Sequence, residues 1–309
     1  MNPQDITEHP GENAVFLIFG ISDWARAKEP VQKVIAALPA LVRSLRNRFP
    51  DYSLSAVMGF GAAAWKGLFP EQPVPGELAP FEEIRGEKHT APSTPGDLFF
   101  HFRGRKIDAL IDLAAFVSGD LGEAVSLIDE THAFRYQDSR AIIGFVDGTE
   151  NPEPLDALEA AAIGPEDPVF AGGSYAMTQK YVHDLAAWSK LPVEEQEKVI
   201  GRRKFDDREL SEEEKPENAH NAVTNISDPS GRELKIVRAN AAFASPAKGE
   251  YGTYFIGYAS AFSTTRRMLE NMFVGDPPGN TDRLLEYSRA LTGTLFFVPS
   301  RDLLAALGE

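Results

Sequence analysis

The chain contains no cysteine. Disulfides, thiolate metal sites, iron–sulfur clusters and cysteine nucleophiles are therefore excluded, and a cysteine-free chain fits the cytoplasm. Positive charge is scarce: 31 Lys and Arg stand against 46 Asp and Glu, a net charge of −15. Nucleic acid and anionic membrane both require a basic surface, so neither is an expected partner. No apolar run approaches the length of a membrane span. The opening MNPQDITEHPGENAV lacks the basic and apolar regions of a secretory leader. There are only six histidines, none in HxH, HxxxH or HExxH spacing, so no local zinc motif is present.

Hydrophobic residues make up 43% and charged residues 25% of the 309, the profile of a globular protein with room for a large core. The first half reads strand, helix, strand, strand, helix, strand. Ala14–Ile21 is a short β-rich apolar run, and Val31–Leu45 carries one apolar helical face, with Pro39 expected to kink it. Leu54–Phe60 is a second strand, and a Pro- and Gly-rich loop runs from about 70 to 95. DLFFHFRG is a third strand, Ile107–Val117 a helix and Leu127–Tyr136 the closing strand.

The second half repeats the order. Tyr175–Val182 reads as a strand, His183–Ile200 as helix broken near Pro192, and Leu234–Arg238 and Gly252–Ala259 as strands. Thr264–Phe273 reads as helix and Thr294–Val298 as a last strand. Two βαββαβ units predict an α+β fold of two ferredoxin-like halves with antiparallel sheets and helices on one face. The Pro-, Gly- and acid-rich stretch after Glu150 sets the expected division at 1–150 and 151–309.

Three segments stand out chemically. GFVDGTENP, Gly144–Pro152, ends an apolar lead in Asp-Gly and Asn-Pro; the ordinary reading is a turn, and the functional one is a turn that aims Asp147 into a cavity. VRAN sets Arg238 and Asn240 two residues apart, on one strand face, where a cation and an amide suit an anionic or peroxidic oxygen; a solvated strand face is the plainer alternative. KPENAH places His220 after a Pro-started turn, a surface histidine by default. His183 begins a helical pattern, with capping or packing as its ordinary role. A lone histidine still suffices for haem, which asks the protein for a single axial ligand.

Taken together and in order, GFVDGTENP, YVHDLAAWSKLP, VIGRRK, KPENAH, VRAN, GTYFIGYA and LTGTLFFVPS resemble the dye-decolourising peroxidases, a family of haem peroxidases. The similarity spans nearly the whole chain, most firmly Phe134–Ser300, and its compact length resembles the bacterial B-type branch. The resemblance implies two ferredoxin-like halves with haem b mainly in the second. It implies Asp147 as the distal aspartate within a signature that includes Gly148, Thr149 and Glu150. It further implies Arg238 as the distal arginine, Asn240 as the amide beside it and His220 as the axial ligand. Asp282 corresponds to the acidic partner of that imidazole, and Arg202 to a haem-propionate contact. The implied activity is reduction of hydrogen peroxide with oxidation of dyes, phenols or other bulky small-molecule reductants. A haem-handling role in transport, storage or iron release is the alternative; it does not require Asp147 together with Arg238.

Trp188, Tyr181, Tyr251 and Tyr287 lie near the haem-binding segments and are candidates to relay electrons, with ordinary packing as the alternative for each. The family often forms homo-oligomers, and some relatives enter encapsulin shells by a C-terminal tail. The ending SRDLLAALGE shows no such tail, so encapsulation is not expected. One departure is AAFAS after Asn240, where a bulkier Pro-Tyr-Gly or Pro-Phe-Gly turn is the family pattern; smaller residues there alter pocket shape or access.

Overall fold

A strand buried on both faces reads as a continuous apolar run, and NAVFLIFGI forms such a strand, β1 (Asn13–Ile21), in the computed structural model, which describes residues 2–9 and 11–309. The chain then forms α1 (Trp24–Arg48), β2 (Ser55–Phe60), α2 (Ala62–Leu68), the two-residue strands β3 (Ile84–Arg85) and β4 (Thr90–Ala91), β5 (Leu98–Gly104), α3 (Ile107–Leu121) and β6 (Val125–Phe134). Asp23 caps α1 by accepting from the Ala25 and Arg26 amides, and Pro30 and Pro39 sit inside that helix without ending it.

The second part comprises α4 (Ala157–Ala161), β7 (Ser174–His183), α5 (Leu185–Trp188), α6 (Val193–Ile200), α7 (His220–Thr224), β8 (Ile226–Ser227), β9 (Glu233–Leu234), β10 (Val237–Arg238) and β11 (Ala241–Ser245). It continues with β12 (Glu250–Ala259), α8 (Phe262–Phe273), β13 (Ser288–Ala290), β14 (Thr294–Val298) and α9 (Arg301–Leu307).

The antiparallel strands β6-β1-β5-β2 form one four-stranded unit and β11-β12-β7-β14 another. In chain order each unit reads 4-1-3-2, the strand order of a ferredoxin-like fold. The units meet at two corners, through the pairs Ala242–Phe134 and Phe297–Phe60. Their facing sides bury one shared core, including Phe16, Ile18, Val57, Phe99, Ile256 and Phe296. The outer face of the first sheet is filled by apolar side chains of α1 and α3, among them Val31, Val34, Leu110 and Leu113 against Leu17, Phe100 and Phe102.

Several elements differ from the sequence reading. Leu234–Arg238 is two strands, because β9 pairs with β8 in a small hairpin while β10 pairs with β12. Strand β11 is alanine-rich and weak in β propensity, yet it pairs along five residues with β12. His183 closes β7 and precedes α5.

Candidate active site

On β7 and β12, alternation decides which side chains face outward. Gln179, Tyr181 and His183 of β7 and Thr253 and Phe255 of β12 line a cavity on the outer face of the second sheet. Its other side is α8, through Thr265, Met268, Leu269 and Met272, and α7, through His220 and Thr224. With its mouth the cavity measures about 1000 Å³. In the first half, side chains fill the equivalent space between helix and sheet; here helix and sheet stand apart.

His220 is the first residue of α7 and is part-buried. Its Nδ1 lies 2.6 Å from Oδ2 of Asp282, a fully buried carboxylate whose other oxygen accepts from the Leu284 amide at 2.8 Å. With Nδ1 as donor, Nε2 keeps its lone pair for the cavity. Next to α7, Gly201 has φ +91°, and a Cβ there would lie 1.8 Å from Asn221 Oδ1, so glycine lets the end of α6 close on the residue after His220.

Asp147, Arg238 and Asn240 line the same cavity. The turn carrying Asp147 is held by Arg140, which donates to the carbonyls of Gly144 (2.9 Å) and Lys204 (2.6 Å), and by the Asp147 amide donating to Ser139 O at 2.9 Å. Gly144 and Gly148 take φ of +95° and +84°. Asn240 Nδ2 donates to Asp147 Oδ1 at 3.1 Å, and Asn240 Oδ1 accepts from the Ile256 amide at 3.2 Å. The amide thus fixes one carboxylate oxygen and leaves the other available.

Arg238 is held through its backbone. Asn151 Oδ1 accepts from the Arg238 amide at 2.9 Å and Asn151 Nδ2 donates to the Arg238 carbonyl at 2.8 Å. Burial pulls the guanidinium pKa down, while the negative charges of Asp147 and Glu150 push it back up; arginine stays cationic throughout. Arg238 Nε and Gln179 Nε2 are buried without a partner, and both residues line the cavity. Two orphaned donors, an imidazole fixed from behind and an apolar wall of Ile143, Phe145, Ile236 and Leu285 fit a flat, largely apolar macrocycle with polar edges and an open metal position. Among the described residues, no group of three His, Asp or Glu could hold a bare metal ion.

Asp147, Arg238 and Asn240 also line a second space, about 820 Å³ with its mouth, which runs outward past Gly148, Ala241 and Ala242 to His9 and Arg135. The small residues after Asn240 thus form a strand beside an open approach. Burial, with the charges of Arg135 and Arg103, lowers the His9 pKa.

Arg202, Gly148, Thr149 and Glu150 sit outside the cavity lining. Arg202 donates to Glu150 (2.7 Å) and Asp207 (2.9 Å), and Thr149 donates to Asp207 at 2.6 Å. His183 is buried between Ser288 Oγ (2.6 Å) and Thr253 Oγ1 (2.9 Å). Sequence reasoning passed over Asn151, Gln179 and the α8 methionines. Asn151 lies within the GFVDGTENP segment but signalled only a turn; the others look like ordinary core residues until the cavity is seen.

Residues 4–135 match the profile described as Dyp-type peroxidase, N-terminal, and residues 138–303 that described as Dyp-type peroxidase, C-terminal. A dye-decolorizing peroxidase of Rhodococcus erythropolis is 48% identical over 98% of this chain and 88% of its own length. One of Mycobacterium tuberculosis is 48% identical over 98% and 90%. A dye-decolorizing peroxidase structure from Bacteroides thetaiotaomicron superposes with a TM-score of 0.96 at 60% identity, covering 100% of this chain and 99% of the other. A variant of DypB from Rhodococcus jostii in complex with heme superposes at 0.95 and 45% identity, covering 99% and 98%. The encapsulated DyP-type peroxidase from Mycobacterium smegmatis does so at 0.95 and 49%, covering 98% and 97%.

Proposed function

The chain belongs to the Dyp-type peroxidase family, and from that premise we propose how its residues divide the work of reducing peroxide. It is a haem-dependent peroxidase that reduces hydrogen peroxide and oxidises dyes or other bulky reductants by one-electron steps. Haem supplies an iron centre that accepts and returns electrons singly.

His220 would hold the haem iron through Nε2, the nitrogen left free by its bond to Asp282. Asp282 holds the opposite nitrogen, fixes the tautomer and makes the ring more electron-donating. Asp147 takes a proton from one peroxide oxygen and delivers it to the other, using the carboxylate oxygen that Asn240 leaves free. Arg238 stabilises the negative charge that develops on the departing oxygen, and Asn240 keeps the peroxide or a water in register. Arg202 would hold the haem carboxylates, and its bonds to Glu150 and Asp207, with Thr149 also on Asp207, group it with the Gly148–Glu150 turn.

The observation that carries the reading is the convergence of a carboxylate, a guanidinium and a carboxylate-backed imidazole on one cavity. A protein that only handles haem needs the imidazole and not the other two. The test is an optical spectrum of haem-supplemented protein: wild type has a Soret band, and His220→Ala loses it or shifts it strongly. An unchanged band in that variant removes the ligand assignment.

We further place the division between the halves at 150/151, supported by the strand-free stretch between β6 and β7, and the protein in the cytoplasm, supported by its lack of cysteine. A homo-oligomer is supported by Leu127 and Ile128, exposed on β6. Light scattering at the monomer mass would contradict it.

A further inference from the structure

Hydrogen peroxide is a very small molecule, yet the outward-running space beside Asp147, Arg238 and Asn240 measures about 820 Å³ with its mouth. These three residues line that space and the cofactor cavity alike, so they stand where the two join. A peroxide acted on at the junction has room to carry a substituent outward. None of the roles above uses the rest of the space.

The walls change character along it. Beside Asn240, Ala241 and Ala242 of β11 keep the passage free of bulk. Phe134, which ends β6, and Tyr136 just beyond it supply aromatic surface; both are half-buried, with their rings edge-on at 6.5 Å between centroids. The outer end is cationic. Arg135 is exposed there, and its amide donates to the Glu12 carbonyl at 2.8 Å. Arg140 is tied to Asp138 and to backbone carbonyls, whereas Arg135 forms no ion pair among the described residues. Nearby His9 senses the positive field: burial and then the charges of Arg135 and Arg103 lower its pKa. Glu12 is the acid at that end, and it stands exposed to water. A free guanidinium at the mouth of a partly apolar passage, on a chain of net charge −15, favours an anion against the field of the whole molecule. Arginine grips a carboxylate through two parallel hydrogen bonds.

We propose that this space binds organic hydroperoxides bearing a carboxylate, as oxidants besides hydrogen peroxide: the OOH group lies between Asp147 and Arg238, the organic group along Phe134, Tyr136 and Ala241, and the carboxylate on Arg135. The inference rests on the peroxidase reading, which supplies the residues that act on the O–O bond. That bond breaks, and the proton of the terminal oxygen passes through Asp147 to the substituted oxygen, which leaves as an alcohol. Two one-electron reductants, each giving an electron and a proton, convert the terminal oxygen to water.

The experiment uses the full-length haem-loaded protein and two oxidants of one shape, cumene hydroperoxide and its para-carboxylate. Second-order rates are read by stopped flow from the Soret band. Wild type should react about tenfold faster with the carboxylate, the difference one charged hydrogen-bonded pair makes. Arg135→Gln should abolish that preference, and Arg135→Lys should keep part of it. Ala241→Leu narrows the passage and should slow both organic hydroperoxides relative to hydrogen peroxide. 4-Isopropylbenzoate, which has no O–O bond, should bind Arg135→Gln about tenfold more weakly than wild type in a calorimetric titration. Equal rates for the two hydroperoxides in wild type, a preference that survives Arg135→Gln, or equal affinity of both proteins for 4-isopropylbenzoate overturns the proposal. Failure of wild type to consume hydrogen peroxide would instead strike the peroxidase reading, since the titration needs no turnover and still reports on the site.

Discussion

At the scale of single residues, the site gives Asp147 and Arg238 unequal substitutes. Asp147 borders the outward-running space, so water can carry a proton in its absence. Arg238 has no such deputy: Arg140 is bound to backbone carbonyls and Arg202 to Glu150 and Asp207. Arg238→Leu should therefore slow reaction with peroxide by about 10²–10³, the usual cost of removing a positioned charge-stabilising donor. Asp147→Ala should cost less, about tenfold, because a water chain replaces part of the general base. Stopped-flow rates in the reverse order would refute this ranking. Asn151 acts one step further back, by pinning the backbone from which Arg238 extends.

At the scale of elements, His183 laces three strands. It ends β7 and reaches Thr253 on β12 and Ser288 on β13. Burial pushes its pKa from 6.5 down to about 4. The unfolded chain then binds a proton below pH 6.5 that the folded chain refuses until about pH 4. Stability from this group is thus complete above pH 6.5 and is lost progressively as pH falls toward 4, by about 3 kcal/mol in all. Wild type should lose more thermal stability between pH 7 and 4 than His183→Gln does, whatever their stabilities at neutral pH. Parallel Tm profiles would show that His183 does not titrate in this way. The lacing also matters to the site, since His183 belongs to the cavity wall.

At the scale of the whole molecule, the two sheets are joined at their corners by single residue pairs and over their faces by a common core. A polar hub near the N-terminus adds a further tie. Asp5 bonds Arg46 of α1 and Arg301 of α9, each at 2.6 Å, and accepts from the Ala56 amide of β2 at 2.9 Å. The adjacent Gln4 bonds Met58 on β2 and the Pro299 carbonyl beyond β14. Asp5 is 7% exposed, so its removal leaves an amide and two guanidinium groups short of a partner. Asp5→Ala should cost about 1–2 kcal/mol in chemical denaturation, mostly from the buried Ala56 amide, since both arginines reach water, and should leave the Soret band in place. A cost near zero would mean that water replaces the hub.

Much of this was legible along the chain. Strand and helix periodicity encodes which face of an element is buried, so the two βαββαβ units could be read from Ala14–Tyr136 and Tyr175–Val298 alone. Composition alone left Asp147 in a turn, Arg238 and Asn240 on a strand face and His220 at the surface; their roles came from the family resemblance carried by the ordered motifs around them. Linear pattern carries no record of which residues meet across it. The resemblance alone paired Asp282 with His220, 62 positions away, and nothing along the chain paired Asn151 with Arg238, 87 positions away; folding brings each pair to bonding distance. The same holds for the cavity, which is space that side chains leave empty: Gln179, Met268 and Met272 read as ordinary core, and only the separation of α7 and α8 from the second sheet turns them into walls.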